Sequence, residues 1–211
     1  MARPRSGTPR TGGERQAPSV LLAARRSAIN ASTEAQQQVF TPGHRSTRTD
    51  PSQVPRPEAC RNAQHRRAHA MLKEARELQK AIVAIIRSWR PDLLEEFGVG
   101  PIVAATVLCA WSHPGRIHSE AAFAMLAGVA PIPANSGQVT TRYRLNRYGD
   151  RQLNNALHTV VQSRIQYQPT TRDYVARRTA EGKTNREIKR CLARYVARDL
   201  YRLLESKAIT A

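Results

Sequence analysis

The chain has 211 residues, with 34 Lys and Arg against 16 Asp and Glu, giving a formal net charge of +18. An excess of this size makes a polyanion the expected partner. No uninterrupted apolar run approaches the ~20 residues of a spanning helix, and the run Val20–Ala24 is too short for a secretory leader. A soluble, cytoplasmic and nucleoid-associated chain with no membrane partner is therefore expected.

In chain order, residues 1–60 read as a largely disordered or degenerate N-terminal segment, holding more than half of the 13 prolines and few apolar residues. Within it, the Ala/Gln-rich piece Pro18–Val39 is a helix candidate, and the proline-rich run Thr41–Pro57 reads as linker. Residues 61–90 form a long amphipathic, coiled-coil-type helix. Ala68, Met71, Ala75, Leu78, Ile82, Ile85 and Trp89 alternate steps of three and four, a heptad seam. The seam needs a partner, either a second copy or another helix of the same chain. Cys60, His65 and His69 have half of a zinc-finger spacing, but no second cysteine accompanies them. With Cys109 and Cys191 the cysteines are odd in number and far apart, so no disulfide framework is implied.

Residues 91–206 read as one compact all-α domain, long enough for its own core. The expected helices are Asp92–Phe97, Pro101–Trp111, Glu120–Leu126, Arg151–Gln166, Arg172–Ala180 and Asn185–Leu204, with Val139–Leu145 a short extended piece. Pro101 suits a first helical turn, Ser119 an N-cap, and Gly128 and Gly182 helix ends. The stretch Leu93–Leu108 has the pattern of a helix-hairpin-helix: short helix, Gly98-Val99-Gly100, then a helix opening with Pro101. Gly98 and Gly100 let the backbone turn tightly and approach a ligand. The free N–H groups of the second helix then suit a phosphate, a contact that reads no base. A plain αα-corner closed by glycines fits the same residues.

Two further patterns carry chemistry. Ser136 sits in a Pro/Gly-broken loop, followed by Arg142, Arg144, Arg147 and Arg151. A hydroxyl beside several fixed cations suits reaction at a phosphodiester, whereas Ser136-Gly137 alone is an ordinary turn. Tyr143 and Tyr148 are candidates for stacking on bases, and Asp150 reads as a helix N-cap. The last helix carries Arg186, Arg190, Arg194, Arg198 and Arg202 four apart, opposite Ile188, Leu192, Tyr195, Val196, Leu200 and Leu203. Arg190, Arg194 and Arg198 are its nucleic-acid candidates, and a solvated polar face is the alternative.

Together, GVGP (98–101), SEAAFAMLAGVAPIPANSG (119–137), RLNRYGDRQLNNALH (144–158) and RRTAEGKTNREIKRCLARYVARDLYRLL (177–204) resemble one family. It is the C-terminal, serine-bearing domain of the Piv-invertase-like insertion-sequence transposases, the group guided by a bridge RNA. The resemblance covers roughly residues 62–205. It implies that Ser136 attacks DNA to form a 5′-phosphoserine intermediate and that Arg144–Arg151 belong to the same site region. It also implies that residues 62–89 are the end of a coiled-coil arm mediating assembly. Family members carry an N-terminal RuvC-like domain whose four acidic residues bind metal, and nothing in residues 1–60 fits that domain.

The expectation is thus an insertion-sequence transposase fragment with DNA binding and serine-dependent strand cleavage and exchange. It would need a RuvC-like domain in trans, with a divalent metal such as Mg expected only on that domain and no cofactor in this chain. DNA is the expected partner, with structured guide RNA, a second copy or a full-length transposase engaged through residues 62–89 as further ones. A non-enzymatic nucleic-acid-binding module, or a dominant-negative regulator of a full-length transposase, is the alternative.

Overall fold

The computed structural model describes residues 12–40, 58–133, 143–146 and 148–206, with side chains described except at 12–15, 38–40, 133 and 143–145. Among them are eight helices: α1 (Gly12–Phe40), α2 (Glu58–Trp89), α3 (Asp92–Glu95), α4 (Pro101–Trp111), α5 (Glu120–Leu126), α6 (Arg151–Tyr167), α7 (Pro169–Ala180) and α8 (Asn185–Ser206). The fold is all-α, as expected. Beyond the expected helices, β1 (Pro131–Pro133) pairs antiparallel with β2 (Tyr143–Leu145), which falls within the expected extended piece Val139–Leu145, with Ile132 opposite Arg144. Two prolines in three residues hide β1 from any strand pattern, and a two-stranded ribbon tolerates them because each strand has a free edge.

The chain divides into two compact units, residues 20–84 and residues 12–19 with 85–206. In the first, Arg25 Nη2 donates to Gln79 Oε1 at 3.0 Å and Ser32 Oγ to the Ala68 carbonyl at 3.2 Å, so α1 and α2 run antiparallel. Ala28, Ser32 and Ala35 are buried on α1, and Ala68 and Ala75 on α2. Small side chains let the two backbones come close enough for the serine to reach a main-chain oxygen. The heptad positions Ala68, Ala75 and Ile82 are buried, and α1 of the same chain packs along α2. Cys60, His65 and His69 are exposed on α2, and among the described residues no three metal-ligating side chains cluster.

In the second unit α6 lies at the centre, packed against α4, α7 and α8, while α5 packs on α8. Its core includes Leu93, Val107, Trp111, Phe123, Leu153, Leu157, Val160, Ile188 and Leu200. Local signals set the helix ends. Ser119 Oγ accepts from Ala122 N at 3.2 Å, and Asp150 Oδ1 accepts from Gln152 N and Leu153 N at 2.8 and 3.1 Å, both N-caps. Thr184 and Glu187 form a capping box on α8: the Glu187 carboxylate accepts from Thr184 N at 2.8 Å, and Thr184 Oγ1 accepts from Glu187 N at 3.3 Å. Helix α7 begins at Pro169, earlier than expected, because a proline at the first helical position fixes a helical φ and holds Gln168 extended.

The C-terminal end of α8 is closed by a buried ion pair. Arg90 and Asp92 are 7% and 5% exposed. Arg90 Nε and Nη2 donate to the two Asp92 carboxylate oxygens at 3.0 and 2.7 Å. Its remaining N–H groups reach the Leu204 and Leu203 carbonyls at 3.1 and 2.9 Å. The guanidinium thus cancels a buried charge and reaches carbonyls of the last helical turn, where the backbone ladder runs out. No described helix is long and apolar enough to cross a membrane.

Candidate nucleic-acid interface

The junction of α5 and α6 positions this region. Three successive carbonyls at the end of α5 receive three polar groups spaced four residues apart. Asn146 Nδ2 donates to Met125 O at 2.9 Å, Asp150 N to Leu126 O at 2.7 Å, and Asn154 Nδ2 to Ala127 O at 2.8 Å. Gly128 then turns the chain at φ +67°. Gly149 lies against it so closely that a Cβ there would sit 2.4 Å from Gly128 N and 2.5 Å from Gly128 Cα. Only glycine permits that backbone crossing.

Beside the crossing lies a cavity of about 380 Å³. Arg151, Asn154 and His158 of α6 line one side, and Arg186, Lys189 and Arg190 of α8 the other, with Gly128, Gly149 and Asn146 among the remaining lining residues. The α6 residues follow i, i+3, i+7 and those of α8 i, i+3, i+4, the spacings of a single helix face. Among the described residues no carboxylate lines the cavity. Some cations outside it are paired: Arg164 contacts Glu96 at 3.4 Å and Asp199 at 3.5 Å, and Arg202 contacts Glu120 at 3.2 Å. The described lining is therefore basic, with Glu187 of the same helix offsetting part of the Arg190 charge. Repulsion between Arg186 and Arg190, worth about 0.2–0.5 kcal/mol for such an i, i+4 pair, is relieved by a bound anion. A divalent cation does not fit this lining.

The arginine ladder of α8 is divided by the fold. Each four-residue step rotates about 40° around an α-helix, so five arginines cannot stay on one stripe. Arg186 and Arg190 face the cavity, Arg194 and Arg198 line a second recess beside α5, and Arg202 pairs with Glu120. Ile188, Leu192, Val196 and Leu200 are buried as the helical pattern predicts. Tyr195 departs from it, being 41% exposed with its ring 6.0 Å from that of Tyr174. Burial, then the neighbouring Tyr195 and Cys191, push the Tyr174 phenol above its usual value, so it stays protonated.

The Gly98 turn packs on α6: at φ +84°, a Cβ there would meet Ser163 Cβ at 3.2 Å and Val160 O at 3.3 Å. Arg164 Nε fastens the turn by donating to Phe97 O at 3.1 Å. Val99 is buried. Gly100 has open space around its Cβ position and caps α4 without a side-chain hydrogen bond.

Ser136, Arg142 and Arg147 lie outside the described residues, as does the side chain of Arg144, whose backbone belongs to β2. The ribbon brackets residues 134–142, the segment holding Ser136, and its open ends adjoin cavity-lining Val129 and Asn146. Tyr148 is 93% exposed. Among the sequence candidates, the structure brings Arg151 and Arg190 together. Arg186, the first arginine of the ladder, lines it too, and His158 and Lys189, which the sequence reading did not single out, complete it. Their signal lies in the two helical-face spacings, read jointly.

Residues 92–176 match the family model described as the Transposase IS116/IS110/IS902 family. The chain is also 30% identical over 113 residues to a Mycobacterium paratuberculosis protein described as insertion element IS900 uncharacterized 42 kDa protein. That overlap covers 53% of this chain and 28% of the relative. The similarity is thus to insertion-sequence transposases, and the chain spans little more than a quarter of the curated relative's length.

Proposed function

We propose that this chain is the nucleic-acid-binding, serine-bearing part of an insertion-sequence transposase, acting in transposition on DNA. The observation that carries the reading is the cavity of Arg151, His158, Arg186, Lys189 and Arg190, with no carboxylate among its described lining residues, next to the ribbon that brackets Ser136 in sequence. A DNA phosphate held there neutralises the cavity, and catalysis requires the serine to reach such a phosphate. Ser136 Oγ then bonds to phosphorus, the bond from phosphorus to the 3′ oxygen breaks, and the hydroxyl proton ends on that departing oxygen. The products are a 5′-phosphoserine and a free 3′-hydroxyl. A RuvC-like domain would bring the divalent metal. The Gly98–Gly100 turn adds a sequence-tolerant backbone contact through the N-terminus of α4.

The test uses the full chain, labelled duplex DNA and a supplied RuvC-like domain with Mg. Wild type should bind duplex and form a denaturation-resistant adduct, and Ser136→Ala should bind equally but form none. A non-enzymatic binding module, which the cavity alone would support, predicts that Ser136→Ala changes nothing in any assay. An adduct that survives Ser136→Ala refutes the catalytic assignment.

A further inference from the structure

On the other side of α8 lies a recess of about 220 Å³, whose lining includes Cys191, Arg194, Tyr195 and Arg198, with Glu120 of α5 at its rim. At about 100° per helical residue, Arg194, Tyr195 and Arg198 centre about 130° around α8 from Arg186, Lys189 and Arg190. One duplex backbone following a single face of α8 does not contact both groups.

The chemistry of this recess differs from that of the first cavity. Tyr195 is 41% exposed although its neighbours Leu192 and Val196 are buried. The Arg198 guanidinium lies 5.0 Å from the Tyr195 ring centroid, and Tyr174 meets that ring edge-on at 80°. The rim carboxylate is already engaged, since Glu120 pairs with Arg202 at 3.2 Å. Asp199 approaches Arg198 only at 3.9 Å and also contacts Arg164 at 3.5 Å. Arg198 Nε is buried without a hydrogen-bond partner. An aromatic ring, a stacked guanidinium and an under-matched cation are the elements with which proteins hold single strands. The volume of about 220 Å³ has room for one base, with sugar and phosphate left at the open side.

We propose that this recess is a second nucleic-acid site that takes one unpaired nucleotide, its base on the Tyr195–Arg198 platform and its phosphate at Arg194. The proposal rests on nucleic acid being the partner, as in the proposed function. It separates the contacts of α8 into a phosphate-holding face and a face for an unpaired strand.

The test is fluorescence anisotropy of the full chain with short oligodeoxythymidylate and with duplex DNA. A base–aromatic stack corresponds to about 5- to 150-fold in affinity. Tyr195→Leu should therefore weaken oligodeoxythymidylate binding at least about fivefold and leave duplex affinity within about twofold, while Tyr195→Phe keeps both. In unmutated protein, oligodeoxythymidylate should slow alkylation of Cys191 and not of Cys60, a readout independent of any folding defect. Oligouridylate reports whether the sugar is read, and the same Tyr195 dependence on either strand supports the site. Wild type that binds duplex but not single strands overturns this proposal alone, and wild type that binds neither overturns the proposed function with it. Equal loss on both probes in Tyr195→Leu, or an unchanged Cys191 rate, also overturns it.

Discussion

Replacing Gly149 by alanine should disable the α5–α6 junction. The new Cβ would lie 2.4 Å from Gly128 N, 2.5 Å from Gly128 Cα and 3.0 Å from the Ala127 carbonyl carbon, all backbone atoms. Non-bonded carbons sit about 3.5–4.0 Å apart, so one strand of the crossing must retreat by about 1 Å. Overpacking of this kind costs about 1–3 kcal/mol. The retreat also strains the Asp150–Leu126 and Asn154–Ala127 hydrogen bonds, each worth about 1 kcal/mol. The expected loss is about 2–4 kcal/mol, or about 1–2 M in urea midpoint for an m-value of about 2 kcal/mol/M. Urea unfolding followed by tryptophan fluorescence measures it, because Trp111 is 1% exposed and bonded to Glu205. Gly182→Ala is the comparison: its φ is +79° but nothing lies within 4 Å, leaving only the left-handed strain of about 1–2 kcal/mol. If Gly149→Ala costs no more than Gly182→Ala, the close crossing does not hold this region.

Arg90→Met should destabilise the second unit by about 3–5 kcal/mol, because Asp92 is left buried and unpaired. Arg90→Met with Asp92→Leu should recover part of that in the same urea assay. Asp150→Ala removes an N-cap accepting from two N–H groups and should cost about 1 kcal/mol, read as a lower thermal midpoint. Hydrogen bonds from Thr184 hold the Glu187 carboxyl below its usual value of 4.5. A depressed carboxyl stabilises above its unfolded value and loses that contribution as pH falls through its folded value. Helicity should therefore decline below about pH 4.5, and Glu187→Gln should flatten that decline in circular dichroism. Because no carboxylate lines the cavity among the described residues, chelation of divalent metal should leave duplex binding unchanged.

Much of the fold was legible because its signals are local. Pro101, Ser119, Asp150 and Gly182 each act within one helical turn, and the starts of α4, α5 and α6 fall where those residues place them. The start of α1 at Gly12 was not legible, since two glycines and Pro18 argue against a helix there. Nor was β1, two of whose three residues are proline. The candidate site was half legible. Charge and the NRYGDRQLNN segment directed attention to α6, which lines the cavity, but the roles within the segment divide by chemistry. Asn146, Asp150 and Asn154 close the end of α5, and Arg151 faces the cavity. His158 and Lys189 attract no notice one at a time, because a cavity between two helices is defined by both faces together. The arginine ladder read as one stripe because a four-residue spacing conceals a rotation of about 40° per step.

The central claim is that the α6–α8 cavity holds nucleic-acid phosphate, and the salt dependence of duplex binding tests it most directly. Each phosphate neutralised contributes about 0.9 to the slope of log affinity against log salt. The triple variant Arg151→Gln, Arg186→Gln, Arg190→Gln should lower affinity and flatten that slope by up to about 2.7. The control Arg66→Gln, Arg67→Gln, Arg76→Gln removes the same charge from exposed positions of α2 and should change the slope far less. Equal slopes in the two triple variants would contradict the account.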